Sequence, residues 1–335
     1  MAEIGDGAST LLDVAKRMDP DGSVATIAEL LHQTNAVLDD IPWIESNLPT
    51  GHRSTRRTGL PTVSWRLVNT GTAPSKSTTS QAVDSIGICE SWFEVDKDVA
   101  QLNGNTAAFR LSESMAFIEA MGQEVAQTLI YGNVGSAPEE FNGLALRYNS
   151  LTATGSQNTL SAGGSGSDNA SIYLVGWAAD KVAGLYPKGS KAGLEHENLG
   201  LVTVETTAGV GTSGARMRAY QDHWVWKCGL MVKDWRYAVR ICNIDVSDLI
   251  ARSSAADLFD YMIMATHRIP NLEACNPVFY MNRTCFQELD IQGRADVISG
   301  GGLKYDMVEG KRITSFRGIR VRILDQLTVA EATIS

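Results

Sequence analysis

The sequence predicts an α+β fold, and three observations carry that reading. A single long helical signal occupies residues 106 to 131, a period-two stretch with β-branched and aromatic residues precedes it, and the hundred residues or so from Ser171 read mainly as β. At 335 residues the chain has the length of about two domains, or of one domain with elaborations.

Taken in order, Ser9 to Met18 reads as a short helix stopped by the turn Asp19-Pro20-Asp21-Gly22. A second helix follows, with Thr26 and Glu29 as a capping box and Ile27, Leu30, Leu31, Thr34 and Leu38 on one face. Neither piece can form a core alone, so each must bury its stripe elsewhere. From Ile41 to about Glu90 the pattern changes to period two. Leu60 to Val68 is expected as one strand and Ser77 to Ile88 as a weaker second, with Asn69 to Lys76 as the loop between them. The inner faces of this hairpin hold too few large apolar residues for a core, which suggests a projection resting on a neighbour.

In the long helix, Leu111, Met115, Ile118, Val125 and Leu129 form the expected buried stripe, and Gly132-Asn133 supplies the stop. Phe141 to Leu146 is expected as a turn into a strand. Tyr148 to Ser167 carries no charge and reads as a loop. The next hundred residues are mainly β: Ser171 to Trp177, Leu201 to Thr206 and the alternating Trp224, Trp226, Cys228, Leu230 and Val232. Helix returns over Leu249 to His267, a buried strand over Pro277 to Asn282 and a helix over Arg283 to Val297. Two last strands between Ile313 and Leu324 meet at Arg317-Gly318.

Composition excludes several classes. With 29 Lys+Arg against 38 Asp+Glu the net charge is −9, which argues against gripping nucleic acid with the whole surface. No apolar run approaches the roughly 18 residues of a spanning helix, so no membrane is expected as a partner. The N-terminus is acidic and no apolar segment follows it, so the product is expected to stay in the cytoplasm. Five cysteines without a CxxC spacing read as buried, reduced thiols.

The search for chemistry yields no catalytic, cofactor-binding or metal-ligating set. GxxxxGK[ST], GxSxG and HExxH are all absent, and His32, His52, His196, His223 and His267 lack a second ligand at i+3 or i+4. Two features rise above background. His52-Arg53-Ser54-Thr55-Arg56-Arg57 is the one basic cluster, suited to pairing with the acidic surface of an identical neighbour or, less well, to nucleic acid. Trp224, Trp226, Trp235 and Tyr237 are dense enough for a sugar platform, although alternation at period two more often marks a packed sheet face.

A helix-bearing arm, a projecting hairpin, one long rod helix and a mixed α/β body occur in that order. Over nearly its whole length the chain therefore resembles the major capsid proteins of tailed bacteriophages, the Hong Kong 97-type fold. Three segments look like capsid proteins of short-tailed phages: Tyr186-Pro187-Lys188-Gly189-Ser190-Lys191-Ala192-Gly193-Leu194, Asp234-Trp235-Arg236-Tyr237-Ala238-Val239-Arg240-Ile241 and Phe316-Arg317-Gly318-Ile319-Arg320-Val321-Arg322-Ile323-Leu324-Asp325. The resemblance implies an N-terminal arm at 1–45, an extended β-hairpin loop at 46–92 and a peripheral domain at 93–148 with its spine helix at 106–131. It further implies a β-rich insertion at 149–248, a return to the peripheral domain at 249–275, and an axial domain with a C-terminal return strand at 276–335.

The function implied is a coat protein that is not an enzyme and self-assembles as hexamers and pentamers into an icosahedral shell around double-stranded DNA. Inter-subunit contacts are expected from Leu30 and Leu31 in the arm and from Arg53, Arg56, Arg57, Trp65 and Lys76 in the hairpin. The partners implied are other copies, a scaffolding protein (separate, because no fused scaffolding segment precedes the arm), a portal protein, a decoration or cement protein, and DNA bound without sequence specificity. Its place would be the virion, assembled in the host cytoplasm. The alternatives are an encapsulin-like compartment on the same fold and a β-rich carbohydrate-binding protein using Trp224, Trp226 and Trp235.

Overall fold

The computed structural model describes residues 32–101, 106–152, 158–205, 216–252, 255–295, 304–308 and 311–335. The expected helix at Ser9 to Met18 lies outside them, as does most of the second. Its described end is not one helix: residues 32–34 are irregular, Asn35 bridges Leu324, and a single turn, α1, spans Val37–Asp40.

Two compact units divide the chain. The first holds 88–125 and 193–227 with the start of the described chain, and the second holds 34–87, 126–192 and 228–335. In the first unit, β7 (Leu194–Glu205) and β8 (Arg216–Val232) pair antiparallel from Leu194↔Trp226 to Glu205↔Arg216. The core here is Phe93, Val95, Ala100 and Phe109, with Val99, Phe117 and Tyr220 packed against it. Phe93 and Val95 come from β3 (Thr78–Asp96), and Phe109 and Phe117 from α3 (Thr106–Tyr131); the short α2 (Lys97–Gln101) lies between the two in the chain. Arg110 of α3 donates to both oxygens of the buried Asp222, at 3.1 and 2.6 Å.

The long helix ends where expected, for a steric reason. A Cβ on Gly132 would stand 2.3 Å from the Phe141 carbonyl oxygen, and the Gly132 N–H closes the last turn on Thr128. Its expected apolar stripe is buried only in its second half, at Val125 and Leu129. Leu111, Met115 and Ile118 are exposed, while Phe109, Met121, Val125, Ala126, Leu129 and Ile130 are buried. Periodicity reports which residues share a face, not which face is covered.

The second unit is built on a sheet whose centre is β5 (Asn169–Trp177), buried at every position. On it pair β10 (Asn276–Met281) and β9 (Ala238–Asp245), both antiparallel, and β13 (Ile319–Ile323) runs parallel to β10. Strands from 149–248 and from 276–335 thus share one sheet. β12 (Lys311–Phe316) and β13 meet at Arg317 and Gly318, both left-handed at φ 52° and 83°. β11 (Lys304–Val308) pairs with β12, β4 (Thr159–Ser161) with β9, and β1 (Trp43–Glu45) with β6 (Val182–Tyr186).

Three expectations fail locally, the first being that Tyr148 to Ser167, expected as a loop, holds β4. Phe141 to Leu146 leads into the helical turn α4 (Leu144–Arg147), not a strand. The helix expected over Leu249 to His267 is two: α5 (Val246–Ala251) ends at the left-handed Arg252, and α6 (Leu258–Arg268) restarts where the Asp257 carboxylate accepts from the Phe259 and Asp260 N–H groups. α7 spans Arg283–Ala295.

One buried polar network closes this unit. Arg240, 5% exposed, donates to Glu331 at 2.8 Å and to the Tyr148 carbonyl at 3.1 Å. Glu331 also accepts from Ser171 and, at 2.6 Å, from Tyr131. The Ile334 N–H donates to Asn243, whose side-chain amide donates back to the Ile334 carbonyl, both at 2.9 Å.

Candidate assembly surface

The projecting hairpin exists, with its strands placed differently from expectation. β2 (Gly51–Gly59) pairs with the first part of β3, from Gly51↔Ser85 to Gly59↔Thr78. Leu60 to Val68 forms no strand. Its β-forming composition meets no ladder partner, and Pro61 has no N–H to offer one. Asn47 fixes the start of the hairpin by accepting from the Arg53 N–H at 2.7 Å and donating to its carbonyl at 2.8 Å. Asp84 of β3, buried, pairs with Arg147 at 2.9 Å.

Along β2 the side chains alternate. Ser54 is buried, His52 and Arg56 are half-buried, and Arg53, Thr55 and Arg57 are exposed. Arg56 turns inward and donates to the Val232 carbonyl of its own copy. Burial lowers the proton affinity of His52.

Beyond the ladder, residues 60–77 form an exposed loop with its own internal ties. Ser75 donates to the Thr62 carbonyl at 2.8 Å, and Arg66 donates to the Thr70 carbonyl at 2.9 Å. A tight turn returns the Thr70 N–H to Leu67 at 3.2 Å, with Asn69 left-handed at φ 67°. On this frame Leu60, Val63, Trp65, Leu67 and Val68 all face solvent, Trp65 at 103% relative exposure. The loop's charges are Arg66 and Lys76, and it contains no acid. It is an apolar, cationic protrusion.

Of the residues expected at subunit contacts, Arg53, Arg57, Trp65 and Lys76 are exposed, Arg56 faces inward, and Leu30 and Leu31 lie outside the described residues.

A second outward surface escaped the sequence reading. In the first unit, β3 sends Phe93 and Val95 into the core and turns Ile88, Glu90, Trp92 and Glu94 to its other face. Trp92 stacks on His223 with ring centroids 3.9 Å apart, and the His223 Nε2 lies 3.5 Å from Glu90. Burial pushes the Glu94 carboxyl up, and its Oε1 is shut off from solvent without a hydrogen-bond partner. The strict alternation of Ile88, Glu90 and Trp92 against Cys89, Ser91 and Phe93 was the available signal, but apolar residues on both faces masked which one is open.

Little in the described residues resembles catalytic apparatus. No group of three or more His, Cys, Asp or Glu gathers among them as a metal site would require. Burial pushes the Cys242 thiol up to about 11 and that of Cys285 to about 12, away from the reactive thiolate at neutral pH. Trp224 is buried and stacked on His196 at 4.0 Å, which removes it from contact with a glycan.

The family described as major capsid protein GP7 matches residues 19–335. A chain of the near-atomic structure of bacteriophage Epsilon15 superposes with a TM-score of 0.76 at 35% identity, covering 100% of this chain and 99% of that one. A capsid chain of a native GTA particle gives a TM-score of 0.48 at 8% identity, covering 67% of this chain and 95% of its own. An encapsulin of Synechococcus elongatus gives 0.44 at 11% identity, covering 67% and 92%. The last two likenesses are too loose to carry an argument. No curated protein matches the chain.

Proposed function

Because the chain belongs to the major capsid protein GP7 family and forms a phage capsid shell, we propose that its copies assemble as hexamers and pentamers into an icosahedral container for double-stranded DNA. The observation that carries this reading is the 60–77 loop, with five large apolar side chains held in water by a frame of internal hydrogen bonds. Burying one such side chain is worth about 1.5–3 kcal/mol, and a contiguous exposed apolar patch marks an interaction site. Arg53, Arg57, Trp65 and Lys76 then serve as contacts between copies, and Leu30 and Leu31 do so from the arm.

The expected division into an arm at 1–45, an extended loop at 46–92, peripheral segments at 93–148 and 249–275, a β-rich insertion at 149–248 and an axial region at 276–335 fits this role. A separate scaffolding protein, a portal and a decoration or cement protein are the proposed partners, with assembly in the host cytoplasm before the shell takes its place in the virion. A net charge of −9 suits a container whose polyanionic contents must slide past its wall.

Electron microscopy of particles from cells expressing the full chain with its scaffold tests the reading. Closed shells or capsomers are the expected result. A chain that remains monomeric under every condition overturns it, and shells recovered with an enzyme cargo instead of DNA replace it with an encapsulin-like role.

A further inference from the structure

We propose that residues 328–335 form a detachable strap, seated by Glu331 in a carboxylate pocket that the rest of the subunit presents, and that only strap-closed copies enter shells. The inference rests on the shell-forming role above and adds the condition that a copy must meet to take part in it. The strap belongs to no helix or ladder, its one bridge being Asn169↔Glu331. Leu327 at its root is buried, but beyond it Val329 and Ile334 are only half-buried and Ala330 and Ala332 are exposed. Glu331 is the one side chain that the strap sends inside. Surface polar bonds hold the remainder: the Glu331 N–H donates to the Asn169 carbonyl at 2.8 Å, and the Thr333 hydroxyl to the Gly166 carbonyl at 2.9 Å. Such bonds exchange for water at small net cost. Opening therefore uncovers little apolar surface, and the closed state depends on the Glu331 carboxylate.

Three donors from three elements make the pocket. Arg240 of β9 and Tyr131 at the end of α3 reach the carboxylate at 2.8 and 2.6 Å, and Ser171 of β5 donates to it as well. Arg240 keeps its place by contacts that do not involve the strap, donating to the Ala145 and Tyr148 carbonyls at 3.2 and 3.1 Å. Those acceptors are neutral, so without Glu331 the buried guanidinium has no counter-charge and the open subunit seeks a carboxylate. All three donors precede Glu331 in the chain, so the site is encoded before its ligand. The Thr328 N–H also donates to the Tyr131 hydroxyl, at 3.2 Å. Closure thus pins the last turn of α3 to β5 and β9, and an open copy leaves that turn loose.

The test returns the strap as a separate molecule. A chain ending at Leu327 should stay folded by circular dichroism yet lose about nine tenths of the shell yield of the full chain, because its pocket is empty. A synthetic peptide of residues 328–335 should restore assembly, and the same peptide carrying E331A should not. Full yield from the shortened chain overturns the gate. A shortened chain that is unfolded and stays so with the peptide overturns detachability, whereas one that refolds and assembles on adding it supports the proposal. A second reading uses the full chain with E331A, whose lost shells acetate should partly restore by occupying the pocket, while chloride at equal ionic strength should not. Equal recovery with both anions, or none with either, overturns the carboxylate pocket. Failure of the unaltered chain to form shells removes the shell-forming role instead.

Discussion

The Arg240–Glu331 network and the 60–77 loop solve opposite problems. In the first, a charge pair that water would hydrate well is taken inside and given every partner it needs, with Ser171, Tyr131 and the Tyr148 carbonyl completing the set. In the second, side chains that water rejects are held outside on a hydrogen-bonded frame. The first arrangement is finished within one copy. In the proposed assembly role the second is completed by another copy, so the two regions should separate stability from assembly when either is damaged.

The largest effect is expected from E331A, which strands the Arg240 guanidinium in the interior and should destabilise the subunit by about 3–5 kcal/mol in urea unfolding. The paired replacement R240M/E331L removes both charges and should cost clearly less than the single change, because an apolar pair leaves no buried ion behind. A next, smaller effect is expected from D257A. It removes the carboxylate that accepts from Phe259 and Asp260, and should cost about 1 kcal/mol in the same assay. W65S should sharpen the contrast. It should move subunit stability by less than about 0.5 kcal/mol and yet abolish or sharply reduce shell formation in negative-stain images.

The smallest effect concerns Glu119. Burial pushes its carboxyl up, but hydrogen bonds from Gln123, Gln33 and His32 outweigh that and hold it below the ordinary range. A carboxyl depressed in the folded state stabilises above its unfolded value, about 4.3, and that contribution is lost as the pH falls through the lower folded value. Hydrogen-exchange protection at Gln33, corrected for intrinsic rate, should therefore fall as the pH drops below about 4.

Much of the body was legible because its signals are local. The apolar run of Ser171 to Trp177, the Arg317-Gly318 turn and the Gly132 stop each depend on a few neighbouring residues, and each sits within a residue or two of expectation. What was illegible depends on distance in the chain or on which face tertiary packing covers. Nothing in the sequence joins Arg240 to Glu331, 91 residues apart. Leu111, Met115 and Ile118 share a face as read, but whether that face meets protein or water is a tertiary fact. Leu60 to Val68 carries strand-forming residues yet forms no strand, because composition suited to burial does not by itself supply a ladder partner. At the candidate surface, the hairpin reading places Lys76 in a loop, where it is exposed, but Trp65 in a strand that does not form. The Ile88, Glu90, Trp92 and Glu94 face was not legible, because Phe93 and Val95 supply an equally apolar opposite side.

The frame that holds the 60–77 loop also sets a temperature preference for whatever it builds. Ser75, Arg66 and the Leu67–Thr70 turn restrict the loop before any partner arrives, so ordering it at the moment of contact should subtract little. What remains is release of water from Trp65 and its apolar neighbours, a process with a negative heat-capacity change that weakens on cooling. Contacts made through this loop should be cold-labile, loosening near freezing and tightening toward growth temperature, while the ionic latch inside each copy holds the subunit folded throughout.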